Sequence, residues 1–221
     1  MALIRKTKLK GKSAYETIVS NKQIADLLTK AHSTKIRAGN ELEDLIAKYT
    51  KHNVHPLSNG KKSVYYEDLA LPKSGKTLVP KLTVKGFPGV ENTNLDIAVL
   101  DADEKVIYTV EMKDGDNFDT KKSNAERKKL EALSGWLANN HSGWTVKPKI
   151  VLWSCQDIKD ASFKDKLAQQ YLLTGKNAQK LLGVVLDEVE KDRSSDRVEN
   201  EKSILLEMQQ IVENAKQGGT I

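Results

Sequence analysis

The 221-residue sequence predicts an α/β fold, a sheet flanked by helices. Three observations predict it. Residues 95–113, "LDIAVLDADEKVIYTVEMK", are two apolar runs joined by a short polar turn, the pattern of a β-hairpin. Residues 34–52 and 124–139 repeat apolar side chains at three- and four-residue intervals, the pattern of one buried helix face. Residues 149–155, "KIVLWSC", form a short β-rich run after the second of these helices. Strands alternating with helices in a chain of this length make a layered sheet around one core.

In chain order, residues 1–15 form a basic arm with Arg5, Lys6, Lys8, Lys10 and Lys12. It is expected either to wrap an anionic partner or to be a loose tail. Residues 20–33 and 34–52 read as two helices. In the second, Leu42, Leu45, Ile46 and Tyr49 define the apolar stripe. Pro56, Asn59 and Gly60 make 53–63 a loop, and 62–71 reads as a strand or a short helix. Residues 72–89 hold three prolines and three glycines and are expected to be irregular, with a short strand at 81–84. The hairpin follows, turning near 101–104, and then the loop "GDNFDTKK". Ser123 with Glu126 three residues on is a capping box, so a helix is expected to start near Asn124. Leu130, Leu133, Trp136 and Leu137 give it an apolar face. After the strand at 149–155, residues 159–173 and 177–183 read as helical. Residues 182–186 read as a last short strand and 201–217 as an amphipathic helix. No linker divides the chain, so one domain over 1–221 is expected, with its core at about 34–155 and a helical part at 156–221.

Composition bounds the function. Charged residues are 30% of the chain and the formal net charge is +6, which points to an anionic partner, nucleic acid first. The single cysteine, Cys155, excludes an intrachain disulfide and fits a reducing compartment, the cytoplasm. No apolar run is long enough to span a bilayer, so no membrane partner is expected, and the N-terminal residues lack the apolar segment of a secretory signal. "PKSGKT" (72–77) lacks the first glycine of a phosphate-binding loop, that position being Ala70. His52 and His55 have no further pair of ligands for zinc.

The hairpin carries the chemistry. Asp96 opens its first strand, and Glu111 and Lys113 share a face at the end of its second. In an antiparallel pair turning near 102–103, the start of one strand lies beside the end of the other, so Asp96 and Glu111 converge with Lys113. Two such carboxylates suit a hard divalent cation such as Mg²⁺, with water and substrate phosphate completing its shell. A lysine beside them would orient or help deprotonate an attacking water. A surface hairpin with a simple Glu–Lys pair would instead show polar residues alternating along a whole face, and both strands here are nearly continuously apolar apart from Thr109.

Asp96, fourteen residues, then Glu111-Met112-Lys113 resembles the PD-(D/E)XK nuclease superfamily, and the flanking segments look like type II restriction endonucleases. The resemblance covers about 34–155. The proline of the motif is absent, since Asn94-Leu95 precedes Asp96. The resemblance implies an α/β fold, a mixed central sheet flanked by helices, with a restriction-endonuclease-like core of order α-β-β-β-α-β. It implies a Mg²⁺-dependent, sequence-specific endonuclease of double-stranded DNA, leaving 5′-phosphate ends and working as a homodimer in a bacterial or archaeal cytoplasm. Asp96 and Glu111 would bind the metal and Lys113 would position and activate water. A glutamate of the 34–52 helix would join them, Glu43 or Glu41, with Glu43 preferred. Lys121, Lys122, Arg127, Lys128 and Lys129 would contact DNA phosphates, or form a solvated helix face. The alternatives are a repair or junction nuclease of the same fold and a non-catalytic DNA-binding protein.

Overall fold

The structure is a computed structural model describing residues 3–9, 13–87, 92–115, 120–158 and 170–218; the side chains of 14, 92 and 120–123 lie outside that description. The chain divides into two compact units. Residues Glu43–Leu186 form the larger, and Met1–Leu42 with Asp187–Ile221 form the other.

The larger unit is built on a mixed sheet. Its strands are β1 (Asn53–Val54), β2 (Val64–Tyr65), β3 (Lys76–Lys85), β4 (Asn92–Asp101), β5 (Val106–Lys113), β6 (Thr145–Leu152) and β7 (Leu172–Thr174). The order is β1-β3-β4-β5-β6-β7, with β2 also on β3. β3, β4 and β5 form an antiparallel meander, whereas β6 lies parallel to β5 and β7 parallel to β6. Helix α2 (Thr120–Asn140) makes the crossover between β5 and β6. Its Leu130, Leu133 and Leu137 are buried in one core with Leu82, Leu95, Leu100, Ile107 and Ile150. Thr109, the polar exception within β5, is fully buried. Its hydroxyl meets Ser134 on α2 at 2.7 Å, and Ser134 also donates to the Leu130 carbonyl. Buried hydroxyls hydrogen-bonded in this way avoid a desolvation penalty. Helix α3 (Gly175–Leu182) is capped by Thr174, whose hydroxyl accepts from the Asn177 amide, and ends at Gly183 in the left-handed region.

β3 departs from the expectation of an irregular stretch. It is a ten-residue strand despite Pro80. On its outer edge β1 pairs only as far as Leu78 and β2 begins at Leu82, so Pro80 falls in the gap between the two short strands. A residue without an N–H is tolerated at such a position. The 62–71 segment is both things foreseen for it: strand β2, then a 3-10 turn at Tyr66–Asp68.

Other boundaries also shift, among them the strand expected at 149–155, which runs Thr145–Leu152. Residues 20–52 hold one helix, α1 (Lys22–Tyr49), rather than two. Ser33 and Thr34 suggest a break, but the Thr34 hydroxyl bonds back to the Lys30 carbonyl and the helix continues. α2 begins at Thr120, so the capping box at Ser123 lies inside the helix. Leu172 and Leu173 belong to β7 instead of a helix, while 159–169 lie outside the described residues. Residues 182–186 form no strand; Gly183 ends α3 and α4 (Leu186–Gly218) starts at once. α4 is far longer than its apolar part, because Glu190 pairs with Arg193 and Arg197 through its polar half.

In the smaller unit the basic arm is docked, at least over residues 3–9. Leu3 and Ile4 are buried. The Ile4 amide donates to Asn200 at 2.8 Å, and Arg37 donates to the Leu3 carbonyl at 3.1 Å. No helix among the described residues is long and apolar enough to cross a membrane.

Candidate active site

The hairpin sets the geometry. β4 and β5 pair from Asp101 opposite Val106 as far as Ile97 opposite Val110, around a turn at 102–105. The next step would place Asp96 opposite Glu111, and there the ladder stops. The Met112 amide donates instead to the Asp96 carboxylate, Oδ2, at 2.7 Å. β5 continues along β6 as far as Lys113 opposite Leu152, and Trp153 N–H donates to the Lys113 carbonyl. The two strands therefore part at Asp96 and Glu111, and a carboxylate occupies the fork.

Lys113 donates to Glu111 Oε1 at 2.7 Å and forms a second ion pair with Glu126 Oε2 at 2.8 Å. Sequence reasoning missed Glu126, reading it as a cap. Its other signal was its place near the start of the helix that follows Glu111 and Lys113. Lys81 was missed as well. It stands in β3 between the paired residues Pro80 and Leu82, opposite Asp96, with a φ of 50°. A left-handed lysine inside a strand is a strained conformation of the kind that collects at functional sites. Its ammonium lies 3.3 Å from Asp44 Oδ1 and 3.7 Å from Glu43 Oε2.

Negative charge is concentrated here. Burial pushes the Asp96 carboxyl up, against the pull of the Met112 amide and the Lys113 charge. Burial raises Glu111 too, and the charge of Asp96 adds to it. Burial and the charge of Asp96 lift Glu43 to about 7, with Lys81 opposing and Glu111 contributing. Burial disfavours the Lys113 ammonium, but Glu111 and Glu126 outweigh it and its pKa is raised. Lys113 is thereby held as a cation.

The structure thus brings Asp96, Glu111, Lys113 and Glu43 into one electrostatic neighbourhood. Glu43 is buried, whereas its neighbour in the sequence reading, Glu41, is half-buried. Of the basic residues, Lys128 and Lys129 are exposed on α2, and Lys129 acts on Asp96 through its charge. Arg127 is buried, with its guanidinium on Glu131 at 2.6 Å and on Asn124. Lys121 and Lys122 lie in α2, but their side chains are outside the described set. His52 bonds the Leu181 carbonyl and Cys155 is buried against the Asp157 carbonyl, both structural positions.

A mixed sheet flanked by helices, with an antiparallel meander leading through a helix into a parallel strand, makes a restriction-endonuclease-like core. Over 214 residues the chain is 31% identical to the type II restriction enzyme HhaII of Haemophilus parahaemolyticus, an alignment spanning 92% of this chain and 91% of that protein. The chain belongs to the type II restriction enzyme family. No model of a known protein family matches it, and no solved structure matches it.

Proposed function

We propose that the protein is a Mg²⁺-dependent, sequence-specific endonuclease that cuts double-stranded DNA as a homodimer and leaves 5′-phosphate and 3′-hydroxyl ends. The observation that carries this reading is the parting of β4 and β5 around Asp96 and Glu111, with Lys113 beside them, in a chain of this family.

The residues fit Mg²⁺. Among the described residues no three His, Cys, Asp or Glu side chains form a ready ligand set, and Mg²⁺ does not require one: one or two carboxylates suffice, with water and phosphate oxygens beside them. Asp96 and Glu111 are half-buried, both raised by burial, and relieved of their excess charge by a cation. These two would hold the ion, which when bound supplies positive charge against the scissile phosphate and eases ionisation of water. The chain's own groups do the rest. Lys113, kept as an ammonium by Glu111 and Glu126, donates to the attacking water or to a phosphate oxygen and stabilises the charge that builds there. Glu43, with a carboxyl near 7, is poised to take up or release a proton around neutral pH. Water oxygen joins phosphorus, the bond from phosphorus to the 3′ oxygen breaks, and that oxygen leaves as a hydroxyl. Lys128 and Lys129, with Lys121 and Lys122 earlier on α2, supply phosphate contacts. Arg127 supports them from within the helix through Glu131 and Asn124.

Incubation with plasmid DNA in Mg²⁺ or in EDTA, followed by sequencing of the fragment ends, tests the reading. Discrete fragments sharing one end sequence, formed only with Mg²⁺, are expected. DNA left intact in Mg²⁺ would overturn it.

A further inference from the structure

On the same larger unit, an open groove of about 580 Å³ is lined by His55, Asn59, Lys61, Tyr65, Glu67 and Lys85, among others. Nothing in the proposed chemistry uses it. We infer that this groove reads the edges of DNA bases and so sets the sequence at which the enzyme cuts; the inference rests on the endonuclease reading above.

The first support is its place. Lys85 is the last residue of β3, four positions beyond Lys81, which stands opposite Asp96. Four residues of strand span roughly 13 Å, about the length of four base pairs of duplex. A lane of polar side chains fills the interval, with Thr83 buried and Asn94 exposed. Thr83, paired with Asn94, donates to Asn94 Oδ1 and meets the Ser63 hydroxyl at 3.0 Å each, and Tyr65 is the β2 partner of Thr83. A duplex with its scissile phosphate at Asp96 and lying along this lane reaches the groove within a few base pairs.

Chemistry is the second. The Lys85 ammonium lies 4.2 Å and that of Lys61 5.8 Å from the centre of the Tyr65 ring. A groove that only gripped phosphates would be uniformly cationic. This one also offers Asn59 and Glu67, so it holds donors and acceptors together, which base edges require.

Its rigidity is the third. The Ser58 hydroxyl donates to Asp68 at 2.5 Å and accepts from the Tyr65 amide at 2.9 Å. Main-chain bonds from Ser58 to Ser63 and from Lys61 to Ser58 close the loop around Gly60, whose φ is 69°. The loop is tied down while Asn59, Lys61, Glu67 and Lys85 stay exposed. Preorganised polar tips on a fixed loop suit discrimination, because little ordering is left to do on binding.

Lys61→Ala, Glu67→Gln and Lys85→Ala remove exposed groups and leave the core alone. For each, kcat/KM is measured on the wild-type site and on sites carrying single base changes, and the ends cut from genomic DNA are sequenced. At least one variant is expected to lose tenfold or more of the ratio between correct and altered sites, with new end sequences appearing. Unchanged ratios in all three, or equal losses on every sequence, would overturn base reading; equal losses would mark the groove as a phosphate contact. A wild-type protein that cuts no DNA would remove the endonuclease reading and this inference with it. A wild-type enzyme that cuts at one site while all three variants cut with its selectivity removes this inference alone.

Discussion

Asp96 serves two purposes at once. Its carboxylate faces Glu111 and also accepts the Met112 amide that the ladder leaves over. Asp96→Asn is therefore expected to lose cleavage by at least about a thousandfold while keeping its melting temperature, because an amide oxygen still accepts that N–H. Asp96→Ala is expected to lose cleavage and about 1–3 kcal/mol of stability, the cost of an unsatisfied buried donor. Plasmid cleavage and thermal melts on both variants check this, and equal melting temperatures would refute the second role. Glu43 gives a pH test. Its carboxyl is raised from 4.5 to about 7, first by burial and then by Asp96, so the folded chain holds that proton more tightly than the unfolded chain. Stability of the metal-free protein is then greatest below the unfolded value and falls as pH rises through about 7. At about 1.4 kcal/mol per unit the difference is at most roughly 3.5 kcal/mol. Melts in EDTA at about pH 5.5 and pH 8 should show the loss, and Glu43→Gln should reduce it. Asp96, Glu111 and Lys113 were legible in the sequence because strand alternation and a tight turn determine which residues meet. Glu126 and Lys81 were not, since their placement beside these groups depends on where a helix begins and on a left-handed backbone that no residue type announces.

Helix α2 separates two kinds of basic residue that look alike in sequence. Lys128 and Lys129 are exposed, and Arg127 is buried on Glu131. Neutralising both lysines should reduce the slope of log affinity for DNA against log salt by roughly two, with little change in sequence preference. Arg127→Ala should instead lower the melting temperature and leave the slope nearly unchanged. Binding titrations in Ca²⁺ at several salt concentrations distinguish the two. α3 offers a second test. A β-carbon on Gly175 would lie 2.3 Å from the Trp153 carbonyl oxygen, which is main chain and cannot swing aside. Gly175→Ala is expected to cost about 1–3 kcal/mol, measured by denaturant unfolding. The core-facing stripe of α2 and the central hairpin were readable from periodicity. β3 was not, because Pro80 signals a break unless the gap between β1 and β2 is known, and α1 was split at Thr34 because a back-bonded threonine reads like a cap.

At the scale of the whole molecule, one hairpin site of the proposed kind would cut one strand, and a double-strand break at a symmetric sequence is most simply made by two copies about a two-fold axis. Sedimentation with specific DNA and Ca²⁺ is expected to find two chains per duplex; one chain per duplex with successive nicks would refute the dimer and leave the nuclease chemistry intact. The net charge of +6 was visible from composition and suits a polyanion. The docking of the first residues was not visible. A run of lysines reads as a loose arm, and only Leu3 and Ile4, buried beside it, betray a packed segment.

The hydrogen bond between Asp96 and Met112 also constrains how this lineage can decay. A descendant that abandoned cutting would still have to satisfy the stranded amide, or its sheet would loosen as its chemistry died. The least disruptive silent copy is one with asparagine at position 96, so retired versions of the enzyme should carry that signature rather than a random scatter of replacements.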